Sequence, residues 1–197
     1  MFITLEGGEG AGKSTQARLL AEALAQAGRA VLLTREPGGA PGAEALREML
    51  LGGVIRWSAA AEAHLHFAAR AEHLACTVLP ALAAGMTVVC DRFADSTLAY
   101  QGYGQGADMA LIRGLTALLP RQPDLTILLH VSPAVAAARM AERGQRLDRY
   151  EAMDARFHAR VAAGFAAIGA GEPSRCRGVD ADGTADAVHA AILAMVP

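Results

Sequence analysis

Short, almost wholly apolar runs that alternate with longer helical patterns predict an α/β protein: a three-layer α/β/α domain with helices on both faces of a five-stranded parallel sheet. The chain order is the second observation, because a strand–helix–strand alternation demands right-handed crossovers and puts ligands at the carboxyl ends of the strands. Phe2–Glu6, Ala30–Arg35, Thr87–Asp91 and Leu125–Val131 read as strands, with a weaker fifth near Cys176–Val179. The first strand runs into a glycine-rich turn that opens a helix over Lys13–Gln26, and Gly28 stops that helix. Further helical patterns cover Ala43–Leu51, Ala60–Ala75 running on towards Ala84, and Asp108–Leu119. The last three are Pro133–Glu142, with Pro133 suited to a first helical turn, Ala152–Ile168 and Thr184–Met195.

Composition bounds the rest. The 197 residues carry no repeat and no Gly/Ser- or Pro-rich linker, which predicts one domain over residues 1–197. With 53% hydrophobic residues, a chain this long buries roughly 70% of its unfolded surface and needs no disulfide or structural metal. A net charge of −2 and a pI of about 6.3 give no global attraction to nucleic acid or to an acidic membrane, so any anion site is local. Cys76, Cys90 and Cys176 are odd in number and widely spaced, which excludes a zinc ribbon and a disulfide framework and fits a reducing compartment. The N-terminus lacks a signal-peptide pattern and no apolar run approaches a membrane span. The expectation is a cytoplasmic protein.

The strongest signal is Gly7-Gly8-Glu9-Gly10-Ala11-Gly12-Lys13-Ser14, a full G-x-x-x-x-G-K-[ST] match between a strand and a helix. Glycines let successive backbone N–H groups turn around a phosphate, and the helix N-terminus adds its positive end. Lys13 would reach the β- and γ-phosphates, and Ser14 would ligate Mg²⁺. Of 18 basic residues, Lys13 is the single lysine, which also excludes a guanine-reading N-K-x-D motif. The motif predicts a P-loop nucleoside triphosphate site, and domains of this size are often kinases of nucleotides or other metabolites.

Phosphoryl transfer needs further cations. Arg139, Arg143, Arg146 and Arg149 flank a glycine between two helices and read as a lid, about 139–150, that closes over the triphosphate; the alternative is a solvated helix end. Arg35 and Arg92 end the second and third strands and suit an acceptor phosphate, while Asp91 resembles the acid that supports P-loop Mg²⁺; Asp91 and Arg92 could instead form a structural ion pair. Phe67 and Arg70 lie three apart on one helix, where a ring can stack on a base and an arginine can donate to a carbonyl. On periodicity alone Phe67 is a core residue. The six histidines lack metal-ligand spacing and read as surface or packing residues.

Taken in order, F-I-T-L-E-G-G-E-G-A-G-K-S-T, T-R-E-P-G-G, H-F-A-A-R-A-E-H-L, V-V-C-D-R-F-A-D-S-T-L-A-Y-Q-G, P-D-L-T-I-L-L-H-V and L-D-R-Y-E resemble the bacterial thymidylate kinases over essentially the whole chain. The resemblance implies the nucleoside monophosphate kinase fold, transfer of the γ-phosphate of ATP to dTMP with Mg²⁺, and a homodimer. It also implies residue roles: Gly7 through Thr15 around ATP, Phe67 stacking on thymine, and Arg70 donating to the base. Arg35 and Arg92 would hold the dTMP phosphate, Glu9 would approach the sugar and the metal, Thr97 would touch the base, and Tyr100 and Gln101 would lie beside the sugar. The arginine-bearing lid marks a subtype whose catalytic arginine sits there, with Arg143 and Arg149 first and Arg139 and Arg146 behind. Where the family commonly has arginine, this chain has Gln105. The competing readings are a kinase for another nucleoside monophosphate and a non-catalytic ATP-dependent switch. Arg35, Phe67, Arg70 and Arg92 argue against the switch, which needs no acceptor site.

Overall fold

The computed structural model describes residues 1–52, 55–144 and 148–197. Its core is a parallel sheet of β1 (Phe2–Gly7), β2 (Val31–Arg35), β3 (Thr87–Asp91), β4 (Leu125–His130) and β5 (Cys176–Asp180), in the order β2-β3-β1-β4-β5. β1 is central and wholly buried, so it reads as an unbroken apolar run rather than an alternation. Its pleat still sorts side chains: Ile3 and Leu5 face one helical layer and Phe2 faces the other.

The first layer holds α1 (Lys13–Gln26) and α9 (Ala185–Leu193), whose Leu20, Leu24, Val188 and Ile192 cover Ile3, Leu5, Ile127 and Leu129. Across the sheet lies α3 (Ala59–His73), continued by a π-helical turn over Leu74–Val78 and by α4 (Leu79–Ala83). Leu74, Val78 and Ala81 pack there on Phe2, Val88 and Cys90. The helical run expected from Ala60 towards Ala84 is thus real but not uniform. Pro80 lacks an N–H and its ring crowds the carbonyl four residues back, so the ladder widens one turn earlier. α8 (Ala155–Gly171) completes this face, with Phe157, Val161, Phe165 and Ile168 against Leu128.

The peripheral helices are α2 (Pro41–Leu51), α5 (Ala94–Thr97), α6 (Met109–Ala117) and α7 (Pro133–Arg143). α5 and a second π-helical stretch, Leu98–Gly104, occupy sequence in which no helix was expected. Helix starts follow local chemistry: the Asp154 side chain accepts from Phe157 N, which moves the start of α8 to Ala155 from the expected Ala152. All five strands put their carboxyl ends at the edge where the glycine-rich loop, Arg35 and the Asp91-Arg92 pair lie. Among the described residues, no helix is long and apolar enough to cross a membrane.

Candidate active site

The glycine-rich loop leaves β1 through positive φ at Gly7, Gly10 and Gly12. At Gly10 a side chain is excluded twice over, since φ is +71° and a Cβ would come within 2.6 Å of the Ala136 carbonyl oxygen on α7. Lys13 is 6% exposed and its Nζ donates to Gly8 O at 2.6 Å, curling the side chain over the loop. Burial, then the charge of Arg92, pull this ammonium down to about 8, against opposing pulls from Glu9 and Asp91. Ser14 Oγ donates to Asp91 Oδ2 at 2.5 Å, and Asp91 Oδ1 is buried with no partner. Lys13, Ser14, Thr15 and Asp91 line an open trough that Arg35, Arg139 and Arg143 overlook. Arg139 donates to Gly10 O and Gly183 O, and the trough continues past Thr15 and Gln16 to Ala185 and Val188.

Glu9 and Arg92 border both this trough and a second cleft, which holds about 510 Å³ of space not filled by protein. Arg92 takes the left-handed conformation, φ +69°, unusual for a side chain of this kind. It is held there by contacts to Gly7 O, Ser96 Oγ and Glu9 Oε1, the last at 2.7 Å, with its guanidinium 5.0 Å from the Tyr100 ring. Tyr100 OH donates to the same Glu9 oxygen at 2.7 Å. Burial alone would raise the Glu9 carboxyl, but Arg92 and Lys13 hold it down at about 2, so it is charged. Behind this group, Glu6 accepts from the Phe93 and Ser96 amides and from Ser96 Oγ. Burial, then Asp95, push Glu6 up to about 8.

Arg70 is the inner wall of the cleft and is 2% exposed. Nε donates to Glu36 Oε2 at 2.7 Å, and Nη2 donates to Phe93 O and Thr97 Oγ1. Its guanidinium lies between two rings, 4.7 Å from Phe67 and 5.1 Å from Phe93. Nη1 alone is buried without a partner.

Most of the expected residues converge here, with three displacements. Arg70, Arg92, Thr97, Tyr100, Gln101 and Glu9 line the cleft. Phe67 does not: it packs with Ala63, Ala107 and Ile112 and supports Arg70 from behind, as its periodicity alone predicted. His66 occupies the cleft instead, because residues four apart share a helix face more closely than residues three apart. Arg35 faces the trough, half-exposed and paired with Glu44 at 3.0 Å, while Arg47 on α2 reaches the cleft and donates to Pro37 O. Arg149 turns away from the trough into an ion pair with buried Glu62 at 2.6 Å. Arg143 stays on the trough and pairs with Glu151. Arg146 lies outside the described residues.

His66, Arg47 and Glu36 were not expected. His66 shares the Arg70 face at i, i+4 spacing, which was legible in the sequence; Arg47 was legible only as an arginine on a helix following a strand-end loop. Gln105, the departure from the resemblance, donates to Glu62 at 2.7 Å. Ala11 joins the core beneath the loop. No cluster of three or more His, Cys, Asp or Glu suited to a metal occurs among the described residues.

Residues 5–192 match the family model described as thymidylate kinase. The chain is similar to a thymidylate kinase of Gluconobacter oxydans, 56% identical over all of this chain and 94% of the relative. Another, from Rhizorhabdus wittichii, is 52% identical over 98% and 94% of the two chains. The fold resembles the crystal structure of thymidylate kinase from Ehrlichia chaffeensis, with a TM-score of 0.83 and 34% identity over 100% and 98% of the chains.

Proposed function

The chain belongs to the thymidylate kinase family, and from that membership we propose how its own residues carry out the ATP-dependent phosphorylation of dTMP to dTDP. The trough takes ATP, with the loop amides of Gly7 to Gly12, Lys13 and Thr15 around the phosphates and the adenine towards Ala185 and Val188. The cleft takes dTMP. The observation that carries this assignment is the orphaned Arg70 Nη1, a buried charged donor, since such a group is costly unless a ligand oxygen meets it. The 4-oxo group of thymine supplies that oxygen, with His66 and Thr97 beside the ring.

At the open end of the cleft, Arg92 and Arg47 hold the dTMP phosphate, and Arg35 meets phosphates from the trough side. Glu9, Tyr100 and Gln101 border the sugar. Glu9 spends one oxygen on Arg92 and Tyr100, so Ser14 and Asp91 are the better pair for Mg²⁺, and the free Asp91 Oδ1 fits such a cation. Mg²⁺ keeps several waters and binds through few protein oxygens plus phosphates, which two residues satisfy. When bound it neutralises charge on the transferring phosphate.

The dTMP phosphate is already anionic near pH 7, so no side chain has to remove a proton. Arg92 and Arg47 aim one of its oxygens along the line between cleft and trough. Lys13 and Arg143 stabilise charge on the transferring group, Arg143 after leaving Glu151. Arg149 serves in anchorage rather than charge stabilisation, a reading supported by its pair with Glu62. We further propose a single domain over residues 1–197, a cytoplasmic setting and a homodimer.

The test is ADP release with Mg-ATP across a panel of nucleoside monophosphates. Preference for dTMP, with dUMP weaker and the ribose analogue poorer still, is the expected result. Preference for a cytosine or purine nucleotide refutes the Arg70 assignment.

A further inference from the structure

Three hydrogen bonds to one carboxylate link the wall of the acceptor cleft to the chain that leaves the lid. Glu62 on α3 is fully buried, and its Oε1 accepts from Tyr150 OH at 2.6 Å, Gln105 Nε2 at 2.7 Å and Gln101 Nε2 at 2.9 Å. Arg149 Nη2 lies 2.6 Å from Oε2. One turn along the same helix, His66 lines the cleft with Nε2 3.0 Å from the Tyr150 oxygen.

The protons along this path have one arrangement. A phenol carries one proton and a carboxylate can only accept, so the Tyr150 proton lies towards Glu62. Gln101 Nε2, at 3.0 Å, can only donate to the Tyr150 oxygen. His66 Nε2 must therefore also donate, which leaves Nδ1 bare. Burial, with the charges of Arg70, Arg92 and Arg149, pulls the imidazole down to about 3, so the ring stays neutral at physiological pH.

We propose that Glu62 is a positioning residue for the acceptor site: through Tyr150 it fixes His66 as the Nε2–H tautomer, and through Arg149 it anchors the chain leaving the lid. The ring beside the base then presents one unvarying hydrogen-bonding pattern, and only while residues 149 and 150 stay docked. The proposal rests on reading the cleft as the dTMP pocket.

Side-chain ¹⁵N shifts of His66 in the ligand-free protein test it, compared with Tyr150→Phe and Glu62→Gln. The expected result is a protonated Nε2 and bare Nδ1 in the unaltered protein, and averaged shifts of two exchanging tautomers in Tyr150→Phe. Glu62→Gln keeps the same tautomer, because its amide oxygen still accepts from Tyr150 while the charge facing Arg149 is gone. In Tyr150→Phe the KM for dTMP rises about ten-fold, the effect of one lost buried hydrogen bond, while kcat and the KM for ATP hold. In Glu62→Gln, which loses the ion pair with Arg149, amide exchange quickens over residues 149–153. A protonated Nδ1 in the unaltered protein, or a tautomer that Tyr150→Phe leaves undisturbed, overturns the relay, and unchanged exchange over residues 149–153 in Glu62→Gln overturns the anchoring. Because the spectra need no substrate, the two readings fail separately. Turnover of dTMP with an undisturbed tautomer refutes the relay alone, and the expected tautomer with turnover of another nucleotide refutes the reading of the cleft.

Discussion

The single lysine of this chain sits where a compact ammonium, not a planar guanidinium, fits: Lys13 is nearly buried and donates at 2.6 Å into its own loop. Replacing it with alanine should lower kcat by about 10²–10³-fold, typical for a lost charge-stabilising donor, and Lys13→Arg should not restore it, measured by steady-state kinetics. Its ammonium is held near 8, so the charged form is lost as pH rises through that value. The expected result is that kcat/KM for ATP falls above about pH 8, and that Lys13→Ala lacks this limb. Arg47 offers a different signature, because its proposed ligand is the acceptor phosphate, while its own hydrogen bond runs to Pro37 O and not to the loop. Arg47→Ala should raise the KM for dTMP by about ten-fold or more, the scale of one charge-assisted hydrogen bond, with the KM for ATP unchanged. Phe67 belongs to the core behind Arg70, so Phe67→Ala should cost about 3–5 kcal/mol of stability in denaturant unfolding, a loss that an exposed stacking ring would not cause.

At the scale of elements, β1 does more than deliver the loop. Its Glu6 reaches across to the Phe93 and Ser96 amides and so shapes the turn that presents Arg92. A carboxyl raised from 4.5 to about 8 binds a proton in the folded state that the unfolded chain has released. Its contribution to stability is full below about pH 4.5 and is lost as pH rises towards 8. Glu6→Gln should flatten that part of the stability curve, measured as Tm against pH. The helix α3 divides its labour by face. Phe67 points to the core, while His66 and Arg70 point to the cleft and Glu62 pairs with Arg149. A three-residue spacing and a four-residue spacing look alike in a short motif, and the packing of Ala63, Ala107 and Ile112 decides between them.

At the scale of the molecule, the trough and the cleft meet at Glu9 and Arg92, and the charges gathered there set the response to acid. Glu9 is held near 2 and His66 near 3, both below their ordinary values. Each contributes stability that is present above its unfolded pKa and lost as pH falls: His66 from about 6.5 towards 3, and Glu9 from about 4.5 towards 2. Acid unfolding followed by circular dichroism should therefore begin below about pH 6 and steepen below 4.5. In His66→Phe the upper part of that loss should vanish.

The alternation of apolar runs and helical patterns determined the layer order, the parallel sheet and the loop that turns around phosphate. Each of these follows from local periodicity or from glycine's freedom at positive φ. The same local information singled out Arg70 and Arg92, the resemblance added Thr97 and Tyr100, and all four line the cleft. Local information could not foresee that His66 rather than Phe67, and Arg47 rather than Arg35, line the cleft, or that Arg143 stays on the trough while Arg149 turns away. It also left α5 and the stretch Leu98–Gly104 without a helix, since neither carries a periodic apolar face. Those outcomes depend on what lies across a gap of dozens of residues: the core beneath α3, the Glu44 beside Arg35 and the buried Glu62 that draws Arg149 inward. A buried charge goes where its partner is, and only the tertiary structure sets that position.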